Sequence, residues 1–558
     1  MIRPRIGAVI VSRNDPLKSA RRIFGRRDVS ISLRAQQQII AIGAGMVGLE
    51  TYLWQLSVPI FLQLYDSGVY LAASIDLVTG TVPYRDFSFV QPPGILLVLS
   101  PIAEISRVVG THDGYILARV LTALVTAANA SLLSWLVRYR GRVAMAVAGV
   151  GLALTPVAVF YSSAIRLEPY CFFLVLLGSI SLVGAANNAS LTSRAVARGG
   201  VFFGLAAAIE FWAFFPFLAM AICLLGRERR QVARFVGWTG FGLALPLLPF
   251  VVAVPRSFVR EVFLEQLGHP RSGGDILRRL VDITGFSGTA LSPSGFAALA
   301  IFSLFALLIA ITFRRRTTEV FGDHFLLLAA AISVIGLLAA PAAYTDYGYF
   351  AAPFLWGLAA VVIARSIVSI GNWIGTVRLS QVARRIITAL GAAAATVLLI
   401  AMVSFVTTFY SLYLPLTGVS SAAIEGIARA IPRNSCVIYD TVGIGLLANR
   451  FQTGAQGCPK VVDPFGMSMG WGFQRKVPAR QYVVQWQSYL EAARYLVVAV
   501  PIVESAVALT TEPYQGMIPW NHDLMNWFVL HYRLVNCSPD CVYARTTPSA
   551  GTHSTSLP

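Results

Sequence analysis

Repeated runs of about twenty apolar residues, separated by short arginine-bearing loops, constrain this 558-residue chain more than any single motif does. A helix needs roughly 20 apolar residues to cross the hydrocarbon of a bilayer. Only 13% of the residues are charged and the mean hydropathy is +0.67, whereas about a quarter of a soluble globular chain is charged. That excludes a cytosolic enzyme, a disordered chain and a collagen-like chain, and leaves a polytopic membrane protein. The net charge of +18 is read as loop charge that fixes membrane orientation, with no nucleic-acid partner.

Residues 1–38 are basic and lack an apolar stretch, and are expected to form a cytoplasmic arm; a secretory signal would carry its apolar region nearer residue 1. The run Ile39–Leu64 then crosses outward, followed by a long outer loop at 63–112. Further spans are expected at about 114–137, 143–160, 169–186, 236–254, 294–313, 324–341, 349–366 and 387–410. The stretch 199–226 has arginines at both ends. It must leave and return on one side, as two short helices with a tip near Glu210–Trp212. More than half of the basic residues and only a handful of the acidic ones then fall in the cytoplasmic segments, in keeping with the positive-inside rule. The expected fold is thus a membrane all-α body over 39–410 with about 11 transmembrane helices, the amino end cytoplasmic and the carboxyl end outside. It is a multi-pass protein of the plasma membrane.

The tail, 411–558, reads as a small extracytoplasmic α/β domain. Short strands are expected at Cys436–Asp440, Tyr495–Val500, Tyr532–Asn536 and Cys541–Arg545, with helical patterns between them. Four of the six cysteines lie here, an even number in an oxidising compartment. Of the three possible pairings, Cys436–Cys458 with Cys537–Cys541 is preferred, the latter closing a Ser-Pro-Asp turn. A zinc site would also use four cysteines, but no C-x2-C occurs.

The residues able to carry chemistry cluster on the outer face. The first loop holds Asp66, Ser67, Tyr70, Arg85, Asp86 and Gln91, with Val69–Val78 patterned as a helix in the interface plane. Arg166 and Glu168 sit at the next outer turn, Glu210 at the hairpin tip, and Asp346 and Tyr347 in a tyrosine-rich loop. Arg271 lies in the arginine-bearing loop 255–290. An isolated Asp before Ser-Gly often only caps a helix. The company of acids, arginines and tyrosines favours more than that. Arginine presents a fork of donors to phosphate oxygens, carboxylates take protons from hydroxyls, and aromatic rings face sugars. No Walker A, H-E-x-x-H or G-x-S-x-G motif occurs. Gly43-x-Gly45-x-x-Gly48 lies within the first span and reads as helix packing.

At these residues the chain resembles the GT-C membrane glycosyltransferases, in the branch of protein O-mannosyltransferases and aminoarabinose transferases. The corresponding residues are Asp66-Ser67, Gly80-Thr81-Val82-Pro83-Tyr84-Arg85-Asp86 and Gln91-Pro92-Pro93, and in outline the resemblance runs over 39–410. It implies catalytic roles for Asp66 and Glu168 and a polyprenyl-phosphate-linked sugar donor. Arg85, Arg166 and Arg271 would meet the donor phosphate; Tyr70, Asp86, Gln91, Glu210, Asp346 and Tyr347 would line the substrate site. The sequence departs from the family at Ser67, where a second acid is common, and at Gln91 and Glu210, where lysines are frequent. The acceptor would be a glycan, a glycolipid or a protein. No cofactor is required by the motifs; some relatives use a divalent ion beside the loop acid, and Asp66 with Ser67 offers it few oxygens. The competing readings are a lipid flippase or transporter, and a non-catalytic relative of the transferases.

Overall fold

The computed structural model describes residues 32–57, 64–187, 191–267, 276–283, 320–342, 344–376, 421–451, 457–470, 480–498, 518–537 and 540–546. The spans expected at 294–313 and 387–410 lie outside these residues, as does most of the amino-terminal arm.

The helical body begins with α1 (Leu33–Ser57), α2 (Leu64–Val78), α3 (Gly94–Val109), α4 (Thr111–Leu136), α5 (Arg142–Leu154), α6 (Pro156–Tyr161) and α7 (Leu167–Asn187). It continues with α8 (Ser193–Ile209), α9 (Phe214–Leu225), α10 (Arg229–Ala253), α11 (Pro255–Val259), α12 (Ile276–Ile283), α13 (Phe321–Ala339) and α14 (Ala352–Thr376). Among the described residues four helices, α4, α7, α10 and α13, are long and apolar enough to cross a membrane; α5, the 211–225 segment and the first part of α14 are shorter apolar helices. Helix α4 is central, packing against α1, α5 and α7. The first long loop is more ordered than its hydropathy suggests, because it contains both α2 and α3. Helix α3 buries Ile95, Leu96, Leu99 and Ile102 and exposes Leu97, Ile105 and Val108. Such an exposed apolar rim on an amphipathic helix suits a membrane interface.

Small residues let neighbouring helices close up. Gly200 and Gly204 of α8 face α10, and a Cβ at Gly200 would lie 2.7 Å from the Trp238 Cβ and 2.8 Å from the Phe235 carbonyl oxygen. Gly45 packs towards α4, where a Cβ would lie 3.1 Å from the Ala127 oxygen. Gly48 approaches α5, at 3.3 Å from the Ala153 Cβ. Between α5 and α6, Thr155 takes the extended conformation that a following proline imposes, and Pro156 opens α6. Helix α8 ends at Glu210, ahead of a 3-10 turn over Phe211–Ala213 that leads into α9.

The tail contributes α15 (Ser421–Ala430), β1 (Val437–Tyr439), α16 (Val442–Leu447), α17 (Pro464–Gly470), α18 (Arg480–Ala492), β2 (Tyr495–Val498), α19 (His522–His531), β3 (Tyr532–Cys537) and β4 (Cys541–Arg545). The sheet order is β1-β2-β4-β3, with β1 parallel to β2 and the other pairs antiparallel. Trp486, Leu490, Leu496 and Phe528 sit in its core. Disulfides join Cys436 to Cys458 and Cys537 to Cys541.

The tail rests on the first long loop. Helix α16 packs along α2, where Gly68 leaves no room for a Cβ against Val442 and Gly443. The Thr111 hydroxyl donates to the Leu446 carbonyl at 2.7 Å, and the His112 amide donates to Asn449 Oδ1 at 2.9 Å. The side chain of Asn449 thus satisfies one of the orphan donors at the start of α4.

Candidate active site

Four chain segments far apart in sequence meet at the amino-terminal ends of α4 and α7. The first turn of α2 brings Asp66 and Ser67, and an acid at a helix amino end is favoured by the helix dipole. Ser67 is buried; its hydroxyl accepts from the Ile165 amide at 2.9 Å and lies 3.3 Å from the Ile165 carbonyl. That pins α2 to the residue before Arg166. Where relatives in the resembled family commonly carry a second acid, this chain has a hydroxyl that ties two elements together.

Arg166 is the centre of the cluster. Its guanidinium pairs with Asp66 and with Asp346, and its Nε lies 3.9 Å from Glu168 Oε2. Asp346 arrives on the 3-10 turn Thr345–Phe350, and Glu168 sits in the first turn of α7. Glu210 is also buried and within electrostatic range of Glu168 and Arg166. Exposure separates the members. The Asp66 side chain is 43% exposed, against 12% for Asp346, 8% for Glu168 and 6% for Arg166. Asp66 is therefore the acid of this trio that an incoming group can reach most readily.

Aromatic residues wall the cluster. Trp212 at the hairpin tip lies 5.2 Å from both Tyr347 and Phe350, stacking on the latter, and Phe211 stacks on Phe263 at 4.9 Å. Tyr70 is buried one turn after Asp66 and meets Phe89 edge-on.

Other residues singled out from the sequence lie apart from Arg166. Arg85 is 55% exposed and chelates its neighbour Asp86 at 2.9 and 2.8 Å. Asp86 also accepts from the Val82 amide at 2.8 Å, and the Arg85 guanidinium holds its carboxyl below the usual range. This pair organises the turn 80–87, where Tyr84 adopts φ +67° and donates to the Gln91 carbonyl at 2.7 Å. Gln91 is half-buried. Arg271 lies outside the described residues.

Several residues at this end of the molecule were not singled out from the sequence. Glu261 accepts from the Phe89 amide at 2.9 Å and from the Ser88 hydroxyl at 3.1 Å, fixing the chain ahead of Gln91. Arg119, buried on α4, donates through Nε to the Ser163 carbonyl at 2.5 Å. Asp463 of the tail accepts from the Tyr65 hydroxyl at 2.7 Å, beside Asp66. Their partners lie tens to hundreds of residues away, so only a rare ionisable residue in an apolar span, as at Arg119, offered a local signal.

Among the described residues no group of three or more His, Cys, Asp or Glu side chains is arranged to hold a metal ion. The Arg166 guanidinium already takes the position between the carboxylates that a cation would need. Among the described residues the donor set therefore does not fit a divalent ion. Chemically, the arrangement offers one reachable carboxylate, held in direction by a buried arginine, beside an aromatic wall.

The described residues thus form a helical body whose first loop lies beneath a carboxyl-terminal domain. Among solved structures, that of ArnT from Cupriavidus metallidurans bound to undecaprenyl phosphate is similar to this chain, with a TM-score of 0.55 and 14% identity. The likeness covers 92% of this chain and 98% of the other. The oligosaccharyltransferase of Archaeoglobus fulgidus with zinc and sulfate gives a TM-score of 0.51 at 13% identity, over 91% of this chain and 73% of that one. The archaeal oligosaccharyltransferase AglB from Archaeoglobus fulgidus, with an inhibitory peptide and a dolichol-phosphate, gives 0.50 at 13% identity, over 93% and 75%. No protein-family model and no curated protein sequence matches the chain. At these identities the likeness is one of fold.

Proposed function

We propose that the chain is a membrane glycosyltransferase that moves a sugar from a polyprenyl-phosphate donor to a cell-envelope acceptor. Asp66 carries this reading: it is the exposed member of an otherwise buried acid–arginine cluster, at the end of the molecule where the tail sits. The shared fold supports the donor class, since the ArnT and AglB structures hold undecaprenyl phosphate and dolichol-phosphate.

In the proposed reaction the acceptor hydroxyl donates its hydrogen bond to Asp66. The oxygen attacks the anomeric carbon as the bond from that carbon to the phosphate oxygen breaks. The bonding pair leaves on the polyprenyl phosphate, the proton passes to Asp66, and the carbon inverts in this single displacement. Positioning and fixed charge supply most of the acceleration. Arg166, matched by Asp66, Asp346 and Glu168, sets the direction of Asp66 rather than waiting for phosphate. The leaving phosphate then calls for a further cation, for which Arg271 and Arg85 are the candidates, Arg85 on condition that it gives up Asp86. Glu168 and Glu210 act as second acids of the site, and Tyr70, Tyr347 and Trp212 shape the sugar pocket. The proposed topology has eleven spans, a cytoplasmic amino end and an extracytoplasmic tail. This sidedness suits a lipid-borne donor, because a prenyl chain presents its sugar outside the cell.

The test is transfer itself. Membranes holding the protein are incubated with radiolabelled polyprenyl-phosphate sugars, and label should move to a product without the prenyl chain. Label enclosed in vesicles with its prenyl linkage intact would replace this reading by transport, and donor left unchanged with every sugar offered would favour a non-catalytic relative.

A further inference from the structure

One short stretch of the tail, from Cys458 to Gly466, holds both ends of the helix that carries Asp66. At the front of α2, the Tyr65 hydroxyl donates to Asp463 Oδ1 at 2.7 Å and accepts from the Phe465 amide at 2.6 Å. Asp463 is itself fixed, accepting from the Gly466 amide at 2.8 Å. At the rear of α2, Lys460 Nζ donates to Asp76 Oδ1 at 2.7 Å and to the Thr81 hydroxyl at 2.6 Å. Asp76 and Asp463 are both buried, so these contacts are made in low dielectric.

The stretch is itself anchored. Cys458 is bonded to Cys436, just before β1. Of two successive valines, Val461 enters the core of the tail sheet and Val462 enters the core of the helical body. Phe465 lies edge-on to Tyr65 at 6.3 Å, and a Cβ at Gly466 would lie 2.8 Å from Val90 Cγ1, close to Gln91. A displacement of this stretch therefore displaces the first turn of α2.

We propose that Cys458–Gly466 is a positioning clamp for the catalytic loop: Asp463, acting through Tyr65, sets the direction of Asp66, and Lys460 fixes the opposite end of the same helix through Asp76. Asp463, Tyr65 and Lys460 are then positioning residues, and the tail is part of the catalytic unit. The proposal rests on the reading of Asp66 given above. Its logic is that a misplacement of about 1 Å can cost on the order of a hundredfold in rate when geometry supplies the acceleration.

The experiment uses the full chain in lipid nanodiscs, comparing Tyr65→Phe, Asp463→Asn, Lys460→Met and Lys460→Arg with wild type. Two readouts are taken: hydrogen exchange over 64–78, and transfer resolved into kcat and donor KM. Tyr65→Phe and Lys460→Met should raise exchange at their own end of α2 and lower kcat at least tenfold, with donor KM changed less than twofold. Lys460→Arg should recover most of the loss. Wild-type exchange and kcat in Tyr65→Phe and Lys460→Met would overturn the clamp, as would a fall in kcat that Lys460→Arg does not relieve. Tyr65→Phe changes one hydroxyl and guards against misfolding of the buried Asp463 variant. If wild type transfers no sugar while exchange over α2 responds as expected, the function fails and the clamp stands.

Discussion

Arg166 is paired with two carboxylates and close to a third, while its own side chain is almost withdrawn from solvent. Removing one partner of a buried ion pair leaves charge uncompensated, at a cost of about 3–5 kcal/mol. Arg166→Gln should lower the thermal midpoint markedly and abolish transfer, measured on the purified protein in nanodiscs. An unchanged midpoint would deny Arg166 its organising role. Asp463 makes a second residue-level statement. Burial pushes its carboxyl up to about 6, against the hydrogen bonds from Tyr65 and Gly466 that hold it down. Between about pH 4 and 6 the folded state binds more proton at this group than the unfolded state does, so its contribution to stability falls as pH rises through that window and is level above it. The stability of wild type relative to Asp463→Asn should therefore decline from pH 4.5 to 6.5; a difference independent of pH contradicts this.

At the scale of elements, close packing of α8 on α10 tests the helix pairing directly. Gly200→Val would drive a side chain into Trp238 and the Phe235 carbonyl. Overpacking of this kind typically costs about 1–3 kcal/mol, and the loss should appear as a lower midpoint on thermal unfolding; a midpoint equal to wild type would argue against the pairing. Elements were the most legible level of the sequence. Long apolar runs located α4, α7 and α13 within three residues and the end of α10 within one, because a membrane helix declares itself by length and hydropathy; α10 begins seven residues earlier than expected, in the arginine-bearing stretch from Arg229. The break between two short helices expected within 199–226, near Glu210–Trp212, falls at Glu210–Ala213. Helix α3 was hidden because it is amphipathic, shorter than a span and carries Pro101 inside it. The site was half legible: Asp66, Arg166, Glu168 and Asp346 each stood out as ionisable groups near the ends of apolar runs. Their convergence on one guanidinium did not, since Asp66 and Arg166 are 100 residues apart and Tyr65 and Asp463 398 apart. Periodicity carries no record of such pairings.

For the whole molecule, ionisable groups gather at two opposite ends of the helical body. At one end Asp323 binds Arg140, lies 3.6 Å from Arg365 and accepts from Tyr139 at 3.2 Å, joining the loop after α4 to α13 and α14. At the other end stand Arg166 and its acids, with the tail seated over the first loop. Among the described residues, buried charge at both ends and little between suits helices whose middle faces hydrocarbon. In the proposed mechanism one reachable carboxylate at the tail-bearing end, Asp66, takes the proton. Turnover of labelled donor by Asp66→Asn, at saturating donor and with extraction and thermal midpoint unchanged, tests it most directly. The account predicts a loss of at least a hundredfold, the scale of general-base catalysis, and turnover near that of wild type would contradict it.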